Sequence, residues 1–497
     1  MVNPKRVPHL LMVFTMLGLL LAACGSEQSN SVPTITPLAV ITTAVATTQA
    51  PNTSTVTSIL PTQAPNTSKA TPIPPTQVAT VTPIRPIATA PASTAQPIGG
   101  NSFSSLSDWW NVNHDASNTN YNPNEKVLTA ANVSSLAKKW IMGTPSTYTL
   151  VWNGFVISSN SNGQLQSYEI NTGEPAATYV GSNSEPFSTY IASEYLEPFA
   201  ILSSGLLFLY TKQDKGRCLT SYDLLSGSLV SCVPHQGSDN NSVSQIVQAN
   251  NLVLTSTFSE EKKDLVGYAF NAQNGQVKWS VKELGKTTPT DSRSANGGLA
   301  GDWEDWVVAG NLAILNTPTA IAYDLNSGRE VWHKDLPYSD SLRRDIMAAN
   351  GTVIVSARKS EFYAYDASTG NLKWSKTPDN AGSGRLLATN GTQVFVSTFN
   401  NTNMVYSLDL ATGKVLWQQP LEALSSAALT NDLLFIAAGN NVYALQATTG
   451  KIVHKLDVTS KEEYPIQHLA VAEGHLIVTG FRVARLYEHW VAVYGLK

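Results

Sequence analysis

Few residues in this sequence have side chains that could do chemistry. The 497 residues include three cysteines, Cys24, Cys218 and Cys232, and eight scattered histidines. A thiolate can take a lipid, form a disulfide or bind a metal, but these cysteines lack the paired spacing of a zinc site. The chain also contains no G-x-S-x-G elbow, no H-E-x-x-H pair and no phosphate-binding loop. We therefore predict no catalytic residue and no metal site.

One short segment combines residue types that bind ligands. Residues 302–306 read Asp-Trp-Glu-Asp-Trp, so three carboxylates alternate with two indoles. Such a mixture could bind a sugar or a cation. The alternative is an ordinary surface loop without a ligand, and this is the interpretation that we favour.

The overall charge excludes one class of partner. The 32 basic and 36 acidic residues give a net charge of −4, so the chain has no global basic field to recruit nucleic acid. Charged residues make up only 14% of the chain, against about a quarter in an average soluble protein. Ser, Thr and Asn fill the polar positions instead, which is typical of exported β-rich proteins.

The N-terminus has the layout of an export signal. Lys5 and Arg6 precede an apolar run of twelve residues, 10–21, which is shorter than the roughly 20 residues of a membrane span. Leu21, Ala22 and Ala23 then lead into Cys24. This ending resembles a bacterial lipobox, which implies cleavage before Cys24 and a diacylglyceryl thioether on its sulfur. The alternatives are an ordinary secretory signal or a short membrane anchor.

A stalk follows the lipidated cysteine. Residues 24–100 are rich in Pro and Thr, carry almost no charge and contain the sequence APNTS twice, at 50–54 and 64–68. Proline removes backbone donors and favours extended chain, so we expect this segment to be disordered. At about 3.1 Å per residue it could reach on the order of 230 Å. It is either a spacer that crosses a cell wall or a plain flexible linker.

A short pattern recurs seven times along the rest of the chain. Each copy ends one strand, turns at a glycine and starts the next strand, as AYDASTGNLKW does at 364–374. Glycine fits such turns because it adopts left-handed backbone angles without steric cost. With further strands upstream, each unit contains about four strands in roughly 40 to 50 residues, which is the period of a β-propeller blade. The seven turn glycines are Gly173, Gly227, Gly275, Gly328, Gly370, Gly413 and Gly450.

A tryptophan follows the turn glycine by four residues in several copies. The motif A-Y-D-x-x-[ST]-G-x-x-x-W resembles the repeat of pyrroloquinoline quinone (PQQ)-type propellers rather than the Trp-Asp repeat. The resemblance implies that this tryptophan packs between neighbouring blades as a structural residue. Three copies depart from the motif, with Ala177, Ser231 and His454 in its place. The tryptophans that match are Trp279, Trp332, Trp374 and Trp417.

An eighth unit without the glycine turn ends the sequence. Residues 474–479 and 490–494 resemble its middle strands, and residues 136–140 can supply its outer strand, with Trp140 in the tryptophan position. Residues 108–140 also resemble the N-terminal segment that precedes the first blade in many proteins of that family. We therefore predict an all-β, eight-bladed propeller within 101–497, with seven blades as the alternative.

The resemblance implies two kinds of function. Quinoprotein dehydrogenases of this family hold PQQ with calcium in the central channel, and many carry a disulfide between adjacent cysteines. This chain has no adjacent cysteine pair, and no calcium ligands can be matched residue by residue. We predict a monomeric, extracytoplasmic, lipid-anchored module without cofactor that binds a protein or glycan partner. The alternative is a PQQ-dependent dehydrogenase of alcohols or sugars.

The other two cysteines flank one of the repeated turns. Cys218 and Cys232 lie on either side of Gly227, so they could form a disulfide between adjacent strands in an oxidising compartment. A register shift of one residue would place them on opposite faces of the sheet and prevent the bond. The sequence leaves both arrangements open.

Overall fold

The fold is described from a computed structural model. The described residues are 107–144, 149–159, 165–179, 200–201, 205–213, 216–224, 226–234, 242–243, 246–259, 264–284, 306–316, 319–336, 345–357, 360–379, 382–423, 426–458, 466–482 and 485–497. The predicted signal sequence, Cys24, the stalk and residues 302–305 lie outside these ranges. Among the residues within them, no helix is long and apolar enough to span a bilayer.

The chain forms eight antiparallel sheets, each of which is one blade. A short 3₁₀ helix, η1 (Val133–Ser135), leads into β1 (Leu136–Thr144). Blades 1 to 4 follow in chain order, and in blade 3 both β10 and β11 pair with β12. Their strands are β2 (Leu150–Trp152), β3 (Phe155–Ser159), β4 (Leu165–Glu169) and β5 (Pro175–Tyr179); β6 (Ala200–Ile201), β7 (Leu206–Gln213), β8 (Gly216–Asp223) and β9 (Leu229–Pro234); β10 (Ser242–Val243), β11 (Val247–Ala249), β12 (Leu252–Ser259), β13 (Asp264–Asn271) and β14 (Val277–Leu284); and β15 (Trp306–Ala309), β16 (Leu312–Leu315), β17 (Thr319–Asp324) and β18 (Glu330–Asp335).

Blades 5 to 8 complete the ring. Blades 5, 6 and 7 each take four consecutive strands, and blade 8 takes the last three strands of the chain together with β1. The strands are β19 (Ile346–Ala349), β20 (Thr352–Ser356), β21 (Phe362–Asp366) and β22 (Leu372–Lys376); β23 (Ser383–Thr389), β24 (Gln393–Phe399), β25 (Met404–Asp409) and β26 (Val415–Pro420); β27 (Ala427–Leu429), β28 (Leu433–Ala438), β29 (Asn441–Gln446) and β30 (Ile452–Asp457); and β31 (Ile466–Ala472), β32 (His475–Arg482) and β33 (Arg485–Leu496).

The eighth blade closes the ring with both ends of the chain. β1 pairs antiparallel with β33, so that Leu136 lies opposite Leu496 and Thr144 opposite His489. The prediction of eight blades is thus confirmed, and the seven-bladed alternative is wrong. Because β1 pairs with β33, the last strand of the chain is not left as an open sheet edge.

The burial of each strand follows its place in the blade. The first strand of each blade lies innermost, and successive inner strands contact one another from β6 through β31 to β2. The second strand is buried on both faces, and every residue of β28 is buried. Outer strands such as β26 alternate between half-buried and exposed side chains. The apolar core therefore lies between the blades, where two sheets face each other.

Hydrogen bonds within the repeated turn explain its composition. In blade 6 the Asp409 carboxylate accepts hydrogen bonds from the Thr412 hydroxyl at 2.6 Å and the Thr412 N–H at 2.9 Å. Gly413 N–H donates to the Asp409 carbonyl at 2.8 Å. The bonds from Thr412 lower the pKa of Asp409, and equivalent bonds act on Asp324 and Asp366. The aspartate thus stabilises the turn in which the glycine adopts a φ of 70°.

Five of the tryptophans in the described ranges lie across the boundaries between blades. Trp374 of blade 5 donates its indole N–H to the Leu410 carbonyl of blade 6 at 2.8 Å. Its ring covers Gly413, where an added Cβ would lie 2.8 Å from the ring carbons. The other four tryptophans make the same pair of contacts with the next blade. The pairs are Trp140 with Gly173, Trp279 with Gly328, Trp332 with Gly370, Trp374 with Gly413 and Trp417 with Gly450.

Blade 2 has a serine where this tryptophan would stand. Ser231 and Val233 pack against Gly275 of blade 3, and an added Cβ there would lie 2.5 Å from Val233. The same outer strand carries Cys232, which forms a disulfide with Cys218 on β8. A covalent link within blade 2 thus accompanies the loss of the bulky contact between blades 2 and 3.

We expect Gly413→Ala to destabilise the protein more than Gly351→Ala. Both glycines have positive φ, which costs alanine about 1–2 kcal/mol at either position. Only Gly413 lies against a tryptophan, whereas nothing is within 4 Å of a Cβ added at Gly351. Gly413→Ala should therefore lower the free energy of unfolding in urea by about 1–3 kcal/mol more than Gly351→Ala does. In a Trp374→Ala background the two substitutions should cost the same, and equal costs in the native background would contradict the contact.

We expect reduction of the disulfide to lower the free energy of unfolding by about 3 kcal/mol, as for other loops of about 15 residues. The two cysteines are 14 residues apart in sequence. The measurement is urea unfolding with and without dithiothreitol. A Cys218→Ala/Cys232→Ala variant is the control and should not respond to the reductant. Alkylation of both cysteines in denatured, unreduced protein would show that the bond is absent.

Candidate functional site

The chain before η1 crosses one end of the ring. We call residues 107–125 the crossing segment. Its backbone carbonyls accept hydrogen bonds from the N–H groups of four successive inner strands, at 2.7–3.0 Å. The pairs are Ala116 with Val308, Ser117 with Ala348, Thr119 with Thr389, and Asn120 with Leu429. The segment thus joins blades 4, 5, 6 and 7 at the same end of the central channel.

Three asparagines extend these bonds around the axis. Asn118 donates through its side-chain amide to the carbonyls of Trp306 and Ile346, at 3.3 and 3.4 Å. Asn120 donates to Leu387 at 2.8 Å, and Asn122 to Val471 of blade 8 at 2.9 Å. Asn118 and Asn120 both have positive φ, which asparagine tolerates better than most residues. These amides therefore satisfy inner-strand carbonyls and hold the segment in place.

A buried glutamate fixes the end of the crossing segment. Glu125 is 1% exposed, and one carboxylate oxygen accepts bonds from the N–H groups of Val127 and Leu128. The other oxygen accepts from Gly474 N–H of blade 8 at 2.8 Å and from the Ser107 hydroxyl at 3.0 Å. All of these bonds are internal to the protein. The carboxylate is thus a structural acceptor at the junction with blade 8.

A histidine of blade 8 contacts the crossing segment. His468 Nε2 donates to the Val112 carbonyl at 2.8 Å, and its ring meets that of Trp109 edge to face. His114 also packs on Trp109, with ring centroids 5.0 Å apart. Burial lowers the pKa of His468 to about 4, so the ring is neutral near pH 7. A neutral, backbone-bonded imidazole holds the segment rather than transferring protons.

The acidic and aromatic segment at 302–306 is only partly described. Trp306 does not lie in a loop, contrary to our interpretation of the sequence, because it begins the inner strand β15 and is fully buried. Its ring packs edge to face on Trp279, at 6.1 Å between centroids. Since the indole is needed for the contact between blades 3 and 4, it is not available to a ligand. Within the described ranges, no group of three His, Cys, Asp or Glu side chains is placed to hold a metal ion.

A groove that the sequence analysis missed lies on the outside of blades 3 and 4. It has a volume of about 300 Å³ and is lined mainly by carboxamide side chains. We call it the amide groove, and its polar lining is Asn250, Asn251, Asn271, Asn274, Gln276, Lys278 and Asn326. The sequence does carry a sign of it, since the third turn reads NAQNGQ where four other copies have Asp followed by Ser or Thr.

Comparison with known proteins supports the repeat interpretation. The family model described as outer membrane protein assembly factor BamB matches residues 262–423 and 401–486. A quinohemoprotein alcohol dehydrogenase from Pseudomonas putida HK5 superposes with a TM-score of 0.57 at 13% identity, covering 79% of this chain and 80% of that one. A europium-containing methanol dehydrogenase gives 0.56 at 13% identity, covering 79% and 98%. At such identities the structures share the fold alone.

A curated relative matches over a short stretch. Tetrathionate hydrolase from Acidithiobacillus ferrooxidans (strain ATCC 23270 / DSM 14882 / CIP 104768 / NCIMB 8455) is 28% identical over 142 residues, which is 28% of this chain. The match spans 25% of the length of that hydrolase. The similarity thus covers only about a quarter of each protein.

We expect the stability conferred by His468 to be lost in acid. The unfolded histidine titrates near 6.5 and the folded one near 4, so the unfolded state binds the proton first as the pH falls. The contribution is complete above pH 6.5 and declines towards pH 4, by on the order of 3 kcal/mol. His468→Gln keeps a donor for Val112 but does not titrate. The difference in unfolding free energy between the two proteins should therefore change over this pH range, and a constant difference would contradict the assignment.

Proposed function

We propose, from the premise that this chain is a β-propeller of PQQ-like repeats, that it acts as a non-catalytic binding or scaffolding module. Its partner would be a protein or a glycan outside the cytoplasm. A propeller is a rigid ring whose outer surfaces and loops can be used for binding without any change in the fold. Function therefore has to be argued from which polar groups are free to contact a ligand and which are bonded within the ring.

The observation that carries the proposal is that the polar side chains at one end of the propeller axis are bonded within the protein. Asn118, Asn120 and Asn122 each donate to inner-strand carbonyls, and Glu125 is bonded to three backbone N–H groups and a hydroxyl. His468 is buried and bonded to Val112. A catalytic group must be able to reach a substrate in at least one step. These groups instead hold the crossing segment in the ring.

The position of the protein in the cell is part of the proposal. Cys24 would carry the lipid that anchors the chain to a membrane, and the Pro/Thr-rich residues up to 100 would hold the propeller away from it. A lipid anchor with a long spacer suits a monomeric module that has to reach a partner at some distance. The net charge of −4 favours protein or glycan partners over nucleic acid.

The competing function is a PQQ-dependent dehydrogenase, and one titration separates the two. We expect the purified full-length chain to show no saturable heat of binding with PQQ, with or without calcium, by isothermal titration calorimetry. Stoichiometric, calcium-dependent binding followed by dye reduction with an alcohol or sugar would overturn the proposal. A known quinoprotein dehydrogenase measured under the same conditions is the positive control.

The anchor is tested by replacing its sulfur. We expect Cys24→Ser to abolish the mass increase of an acylated N-terminus and to move the protein out of the membrane fraction. Cys232→Ser is the matched control and should leave the protein in the membrane fraction, because Cys232 is part of the propeller. Full membrane association of the Cys24→Ser protein, with its N-terminal segment removed, would contradict lipid anchoring.

A further inference from the structure

The turn of blade 3 is built differently from the turns of blades 4, 5 and 6. Those turns begin with an aspartate whose carboxylate accepts from a following serine or threonine hydroxyl. Blade 3 has Asn271 and Asn274 at these two positions. The Asn271 side-chain oxygen accepts from the N–H groups of Gln273 and Asn274, at 2.9 and 3.2 Å. Its NH₂ group is therefore left for an external acceptor.

Comparison with blade 4 shows why the groove stays open. Asn311 and Asn251 occupy equivalent places, since their carbonyls accept from Leu325 and Ala272 of the following turns, both at 2.9 Å. In blade 4 the Asn311 amide donates to the Asp324 carboxylate at 2.7 Å, and this bond joins the two turns. In blade 3 the turn has no second carboxylate oxygen to accept from Asn251. The Asn251 side chain is exposed and makes no bond to any described residue.

The charge and size of the amide groove indicate a class of ligand. Its lining contains no carboxylate, and the Lys278 ammonium lies 3.5 Å from the Asn326 side-chain oxygen. Carboxamides donate and accept hydrogen bonds, whereas the ammonium only donates. Val277 is 49% exposed and gives the groove an apolar strip. A volume of about 300 Å³ is at the low end for small-molecule sites, which run from roughly 300 to 1,000 Å³.

We propose that the amide groove binds a short stretch of a carboxylated oligosaccharide. Sugar hydroxyls would bond the carboxamides of the lining, which are Asn251, Asn271, Asn274 and Gln276. A carboxylate would face Lys278, and a C–H face of a ring would lie on Val277. The proposal rests on the proposed binding function and names its ligand class. Polycations and metal ions are disfavoured, because the groove offers them an ammonium and no carboxylate.

The test is a calorimetric titration of the full chain with a galacturonate tetramer, with maltotetraose as the neutral comparison. We expect saturable binding of the acidic tetramer, tighter than that of the neutral one and weakened by added salt. Asn251→Ala and Gln276→Ala should each weaken it about fivefold or more, as the loss of one hydrogen bond does. Asn371→Ala is the matched control, since Asn371 stands in blade 5 where Gln276 stands in blade 3, and should have no effect.

A second variant separates loss of the site from loss of the fold. Asn271→Asp/Asn274→Thr restores the turn of the other blades, so it should unfold no earlier than the native protein yet lose the ligand. Tetramer binding that survives this variant would place the ligand elsewhere, leaving the binding function intact but overturning the groove. Equal binding of both tetramers, or of neither, would also overturn the proposal. In the last case the search for a partner would turn to proteins.

Discussion

The pairing of β1 with β33 is the interaction on which the ring depends. Each of the first seven blades is built from a continuous stretch of chain, but blade 8 has its outer strand only if the N-terminal strand is in place. The Trp140 indole then reaches from that strand to Gly173 in blade 1. Closure and the first contact between blades thus come from the same nine-residue strand.

The contact between a tryptophan and a turn glycine gives neighbouring blades a regular spacing wherever it occurs. An indole that covers a glycine and bonds the carbonyl three residues before it fixes both the spacing and the rotation of the next blade. Blade 2 lacks the indole and carries the disulfide, with Ser231 and Val233 against Gly275. The crossing segment adds a second set of bonds at the axis, from Ala116 to Asn122. The blades are therefore held together both by the tryptophan–glycine contacts on their outer strands and by the hydrogen bonds of the crossing segment to their inner strands.

Much of the fold could be predicted from the sequence because the repeat is visible in it. Glycine, aspartate and tryptophan recur at fixed offsets because each has a role in or beside the same turn. A period of 40 to 50 residues is specific to few architectures. The place of Trp140 in the eighth blade could be proposed from the missing outer strand alone. The role of Asn118, Asn120 and Asn122 could not, because their partners are backbone carbonyls far away in sequence. The amide groove was missed because it arises from the absence of a bond, between Asn251 and a carboxylate that blade 3 lacks.

The register of blade 8 has a consequence for how the chain folds. Leu136 is among the first residues of the propeller to be synthesised, and its partner Leu496 is among the last. Until then β1 has nothing to pair with, and every intermediate has an open sheet edge that another chain could join. Long-range pairing of this kind slows folding. Chaperone demand during biogenesis should therefore fall on the interval before β33 is synthesised, rather than on any single blade.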